Sequence, residues 1–244
     1  MVKRPSFLDL PFAEAIAYFS GKVVLPTEKG DRIPDEVHDH AFVVGGLAKA
    51  GLLEDIKWLL GQALEEGNSL ETFEKQFNRL VGRKGWQPGG GRIRVIYDTN
   101  IRRSWAAGRY KQMTDPDILN KRSVWLWKHR TPDPEFGGQP RDNHKALDGK
   151  VFDASDPFWK KAYPPCAFGC RCSAFSLSER QMKAMGKKLE KPPNPDDIAD
   201  KGFRHAPGSS PQSERSQILK NGLQRLSPEL RAEVELDFKQ RKLI

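Results

Sequence analysis

The chain has 244 residues, 37% of them hydrophobic and 30% charged, with a formal net charge of +9. That length holds one large domain or two small ones, and the apolar share builds a lean globular core rather than a fibrous or disordered chain. No stretch approaches 18 consecutive apolar residues, which excludes a membrane-spanning helix, and three cysteines cannot close a disulfide set.

The opening run MVKRPSFLDLPFAEAIAYF starts basic, but Asp9 and Glu14 interrupt its apolar residues. It reads as a short amphipathic helix and not as a secretory signal. With the odd cysteine count, this points to a reducing compartment in which thiols are free or metal-bound. Phe12, Ile16 and Phe19 recur at helical spacing before Gly21. After a Pro- and Gly-rich loop, Pro34 is expected to open a second helix, with Val37, Ala41, Val44 and Ala48 as its stripe and Gly51 as its end. A third helix carries Leu52, Ile56, Leu59, Leu60 and Ala63 on one face, with Gly67 as its cap. Ser69 is placed to cap a fourth, whose buried side is Phe73, Phe77 and Leu80.

The glycines at 89–91 follow Pro88 and lack the Lys-Ser/Thr pair of a phosphate-binding loop, so they read as a turn. Residues 94–113 form the next helix, with Tyr97, Ile101, Trp105 and Gly108 in register. Gly108, flanked by Ala106 and Ala107, leaves room for a second backbone. Arg102 and Arg109 share a face and Arg103 lies nearby; they either bind phosphate or carboxylate groups or pair with local acids. SVWLWKHR, Ser123–Arg130, alternates like a strand. Beyond it runs a long Pro-, Gly- and Asp-rich stretch that needs something other than a core to hold it.

Charge is unevenly spread. Residues 1–91 hold 11 basic and 13 acidic side chains, residues 92–178 hold 16 and 9, and residues 179–244 hold 14 and 10. The basic middle suits nucleic acid or an acidic protein surface, or is a solvated face.

All three cysteines fall within YPPCAFGCRCSAF. Cys166, Cys170 and Cys172 form C-x3-C-x-C, and three thiolates from one loop can take three corners of a tetrahedral structural zinc site. His144 is the first candidate for the fourth corner, His129 the second and Asp148 the third; the alternative is reduced, packed thiols. Past them, EKPPNPDDIADKGFRHAPGSSPQSE reads as extended, followed by two helices, the second opening at Ser227-Pro228.

Several of these stretches together resemble the phage Mu F-like minor head proteins of tailed bacteriophages: HDHAFVVGGLAKAGLLEDI, EEGNSLETFEKQF, IYDTNIRRSWAAGRYKQM and, above all, PRDNHKALDGKVFDASDPFWKKAYPPCAFGCRCSAFSLSER. The resemblance covers roughly residues 5–180. It implies a non-enzymatic virion component acting in head morphogenesis near the portal vertex, assembled in the bacterial host cytoplasm. Its implied partners are the portal protein, other head proteins and packaged double-stranded DNA bound without sequence preference. Contacts of that kind are expected at Arg102, Arg103, Arg109, Arg141, Lys160, Lys161 and Arg171. The resemblance further implies that His144, Cys170 and Cys172 are the recurrent metal set and that Cys166 is optional. The rival reading is a nuclease using His144 or His129 as base, with Arg141 on the phosphorane and Asp148 nearby.

The expected fold is α+β: a helical region over 1–85, a mixed domain over 86–180 with a short antiparallel sheet built from Ser123–Arg130 and about 171–177, and a C-terminal extension over 181–244.

Overall fold

The computed structural model describes residues 12–86, 88–131 and 141–244. The start of the expected amphipathic run, Gln87 and residues 132–140 lie outside them.

Helix α4, Gly90–Met113, is the spine of the molecule. At 24 residues it is about 36 Å long. The glycine run expected as a turn instead begins this helix, with Gly89 as its N-cap and Gly90 and Gly91 inside it. Around its N-terminal half pack α1 (Ala13–Ser20), α2 (Ala50–Glu66) and α3 (Leu70–Arg83). Their shared core joins Phe19, Leu53, Ile56, Leu60, Phe73 and Phe77 to Ile93 and Ile96 of α4. The expected caps form: Ser69 accepts from the Thr72 N–H, and Gly67 ends α2 in the left-handed conformation at φ 68°.

Gly108 is where α1 crosses α4. A Cβ there would stand 2.9 Å from the Ala15 nitrogen and 2.8 Å from Cζ of Phe12. The approach needs a missing side chain, as the sequence indicated. Gly108→Ala is expected to push the helices apart at a cost of about 1–3 kcal/mol, measured by urea unfolding.

The expected second helix does not form. Pro34 is followed only by a single 3-10 turn, Asp35–Asp39. The chain then extends as β2 (Ala41–Phe42), which pairs in parallel with β1 (Val23–Val24). Phe42, Val43 and Val44 favour extended backbone. Gly45 and Gly46 follow, and Gly46 takes φ 74°, which a helix cannot continue through. Gly51, expected to end that helix, lies inside α2.

The C-terminal half of α4 leads through α5 (Pro116–Leu119) into β3 (Val124–Lys128), the central strand of an antiparallel sheet ordered β4-β3-β5. Both expected strands are present, and β5 is Ser173–Leu177. The third, β4 (Val151–Asp153), is too short to leave a sequence pattern. Side chains alternate across β3. Val124 and Leu126 join Val151 and Met182, the latter on α8 (Glu179–Ala184), in a small cluster. Trp125 and Trp127 enter the larger core with Phe152, Phe158, Trp159 and Tyr163. The helical turns α6 (Asp142–Lys145) and α7 (Phe158–Lys161) flank that core.

The C-terminal segment does not project as a free extension. Residues 198–206 pack against the tryptophan core through Ile198, Ala199 and Ala206. Helices α9 (Arg215–Leu223) and α10 (Pro228–Gln240), both expected, bury Leu219, Leu223 and Phe238 against Val23, Leu25 and Val37. A buried carboxylate joins the same two ends. Asp39 accepts from the Tyr18 hydroxyl at 2.9 Å, from the Gly208 N–H at 2.9 Å, from the Ser210 N–H at 3.1 Å and from His205 Nε2 at 3.0 Å.

Candidate metal centre

Three elements converge beneath the tryptophan core. The turn α6 presents His144, which is 2% exposed. Its Nε2 lies 2.9 Å from the Ile198 carbonyl oxygen, an acceptor that requires the ring proton on that nitrogen. Nδ1 faces Cys170 Sγ at 3.6 Å and Cys172 Sγ at 3.8 Å. Trp127 packs edge-on against the imidazole at 5.9 Å between ring centroids. One donor atom from each of His144, Cys170 and Cys172 lies within 4.8 Å of the other two, and all three residues are buried.

Such a set can hold a cation. Two cysteine sulfurs and a histidine ring nitrogen, screened from water, are donor types that zinc takes. The two sulfurs already differ electrostatically. The hydrogen bond with Cys172, opposed by burial and reinforced by His144, holds the Cys170 thiol well below its ordinary range. The same hydrogen bond and burial push Cys172 up.

The third cysteine stands apart. Cys166 is fully buried in the aromatic core, and burial pushes its thiol well above the usual range. It serves the loop through its backbone: its carbonyl accepts from the Asp200 N–H at 2.9 Å. The four-residue set Cys166, Cys170, Cys172 and His144 is therefore gathered in one core, but Cys166 is outside the group of converging donors. His129 comes closer: just past β3, it places Nδ1 3.4 Å from Cys172 Sγ. Asp148 points elsewhere, bonding the His129 N–H and Lys128 Nζ.

The same geometry bears on the nuclease reading at His144, one of its two candidate bases. A general base needs a ring nitrogen open to substrate; both nitrogens of His144 are buried and engaged, and Asp148 holds backbone.

The basic residues divide among several places. Arg102 and Arg109 line one cleft of about 590 Å³ together with Arg130, Cys170 and Cys172. Within it Arg102 is 3.7 Å from Asp98, and Arg109 lies over the Phe175 ring. Arg171 and Arg130 add positive charge beside Arg102. Arg103 points the other way, 5% exposed, over the Phe203 ring and toward a second cleft of about 610 Å³. Arg141 meets Asp200 at 3.4 Å, and Lys161 lies 3.9 Å from Asp196. Lys160 is exposed on α7.

Sequence reasoning missed the Ile198 carbonyl that orients His144, because a backbone acceptor leaves no residue signature. It also missed the Asp39 network, although an aspartate between two histidines, His38 and His40, was a usable signal.

The family model described as Phage Mu protein F like protein matches residues 54–175. A Mu-like prophage FluMu F protein of Haemophilus influenzae is 30% identical over 168 residues, which is 64% of this chain and 39% of the relative. A protein of Escherichia phage Mu named "Putative capsid assembly protein F" is 29% identical over 197 residues, which is 74% of this chain and 43% of the relative. The chain spans about two fifths of the length of these curated relatives. No solved structure matches it significantly.

Proposed function

Because the chain belongs to the phage Mu protein F like family, we propose that it is a minor head protein of a tailed bacteriophage, acting in head morphogenesis at or near the portal vertex. The observation that carries this reading is the match running from α2 to β5, through the spine helix, the tryptophan core and the His144, Cys170 and Cys172 group. The relative from phage Mu is named for capsid assembly. No described helix is long and apolar enough to cross a membrane, which agrees with a part built into a protein shell. Its partners are then other head proteins, the portal foremost, and its place is the virion.

Packaged DNA is a second contact in this reading. Arg102, Arg109 and Arg130 sit along one cleft, and guanidinium groups so placed suit phosphate contacts that carry no sequence information. Duplex affinity is then expected to fall linearly with the logarithm of salt concentration, by a slope near 0.9 per phosphate neutralised. Arg102→Ala combined with Arg109→Ala is expected to flatten that slope by about two units, read by fluorescence anisotropy at several salt concentrations.

Assembly is tested directly by deleting the gene from its phage and imaging the lysate by cryo-electron microscopy, with a tagged copy located in intact heads. The expected result is defective heads without the protein and tagged density at the portal vertex with it. Normal filled heads in its absence, and no tag in purified particles, would overturn the proposal.

A further inference from the structure

We propose that the chain binds one structural zinc ion through Cys170, Cys172, His144 and His129, with Cys166 acting as a backbone support and not as a ligand. Nothing in the head-assembly reading requires this, and the choice of ligands is argued from the positions of the donors.

The spacing of the donors is the first argument. In a tetrahedral site with Zn–S near 2.3 Å and Zn–N near 2.0–2.1 Å, neighbouring donors are about 3.3–3.8 Å apart. The separations of His144 Nδ1 from the two sulfurs, 3.6 and 3.8 Å, and of His129 Nδ1 from Cys172, 3.4 Å, are edges of such a tetrahedron. His129 is not within 4.8 Å of all three other donors, so its ring must swing inward as the ion enters.

The outer shell is the second argument. Metal-bound histidines donate their far nitrogen to a carbonyl or carboxylate, which fixes tautomer and ring plane; His144 does so to Ile198. Asp148 holds the His129 backbone at 2.8 Å. These contacts aim the donors before any ion arrives.

The choice of His129 over Cys166 is the third. The His129 ring is held by nothing but sulfur among the described residues: Nδ1 faces Cys172, and Nε2 is enclosed without a partner. Cys166, by contrast, lies in an apolar core that suits a neutral thiol, and its carbonyl is committed to Asp200. The charges also close. Two thiolates and two neutral imidazoles around a dication make a site of zero net charge, which burial tolerates better than a charged one. With no open corner the ion does no chemistry. It ties the end of β3, the turn α6 and the 166–172 loop together, on both sides of residues 132–140.

The test is made on the full chain, expressed with zinc supplied and purified without chelator. Metal content is read by mass spectrometry, and the ligand set from the spectrum of the cobalt(II)-substituted protein. One zinc per chain is expected, with thiolate-to-cobalt absorption scaled to two sulfurs. Cys166→Ser is expected to keep the metal, and Cys170→Ser and Cys172→Ser to lose it. His129→Ala is expected to weaken zinc about tenfold to a hundredfold in competition with a chromogenic chelator, and His129→Cys to restore it. Circular dichroism on each variant separates loss of metal from loss of fold. Below about a tenth of a zinc per folded chain, no site exists. Loss of zinc from Cys166→Ser, or unchanged affinity in His129→Ala, would overturn the ligand assignment. Since no virion is involved, failure here leaves the assembly reading intact, and failure there leaves this one intact.

Discussion

Asp39→Ala is expected to cost about 3–5 kcal/mol of folding stability, the usual penalty for removing one partner of a buried charged network. The side chain is 2% exposed and accepts from Tyr18, His205, Gly208 and Ser210. Removing it leaves the half-buried Gly208 and Ser210 N–H groups without that acceptor and takes a counter-charge from Lys22. Burial and the neighbouring Arg103 charge already push the Lys22 ammonium down to about 7. The measurement is urea unfolding, and a loss under about 1 kcal/mol would show that the network is incidental. The pH dependence has a definite sign. Burial opposes ionisation of Asp39, but the hydrogen bond and charge of His205, the Gly208 N–H and the Lys22 charge outweigh it and hold the carboxyl well below its usual range. A carboxyl depressed in the folded state stabilises above its unfolded pKa, and that contribution drains away as pH falls toward its folded value. The native protein should therefore lose stability steeply below about pH 4, and Asp39→Asn should show a flatter acid limb from a lower starting point.

Trp127→Ala is expected to cost about 3–5 kcal/mol. The ring is fully buried, stacked 6.2 Å from Trp159 at 23°, and set against Phe158 and His144. Its loss opens a cavity beside the imidazole, so the change in thiol environment should accompany the change in stability. Trp127→Phe is expected to recover most of the loss. The indole nitrogen has no hydrogen-bond partner among the described residues, so only ring area is given up. Thermal unfolding and the rate of thiol modification by a chromogenic disulfide check both statements; equal stability in the alanine variant would contradict the packing argument.

Much of this architecture could be read before the coordinates because it rests on local patterns. Ser69, Gly67 and the Leu52–Ala63 stripe identify their helices through capping and periodicity. Gly108 announced a close crossing because only a missing side chain permits one. The strand at Trp125 was legible from alternation, and a second was expected at about 171–177. What failed was the reading of Val37, Ala41, Val44 and Ala48 as a helix. Apolar residues at that spacing fit more than one backbone, and pairing with Val23 and Val24 decided for extension. The site was half legible. Clustered thiols and a nearby histidine are compositional, so Cys170, Cys172 and His144 could be named. Which donor turns inward depends on partners remote in sequence, Ile198 for His144 and Asp200 for Cys166, and no spacing encodes them.

The parallel pairing of β1 with β2 places Val23, Leu25, Val37 and Ala41 against α9 and α10, while α1 fills the space over Gly108 on α4. The borders of the family match at 54 and 175 therefore cut through two cores and leave a third, that of α9 and α10, wholly outside. A fragment trimmed to those borders would expose the raw faces of the spine helix and the tryptophan cluster and would clump instead of folding. A unit that keeps all three cores whole reaches at least from α1 through α10.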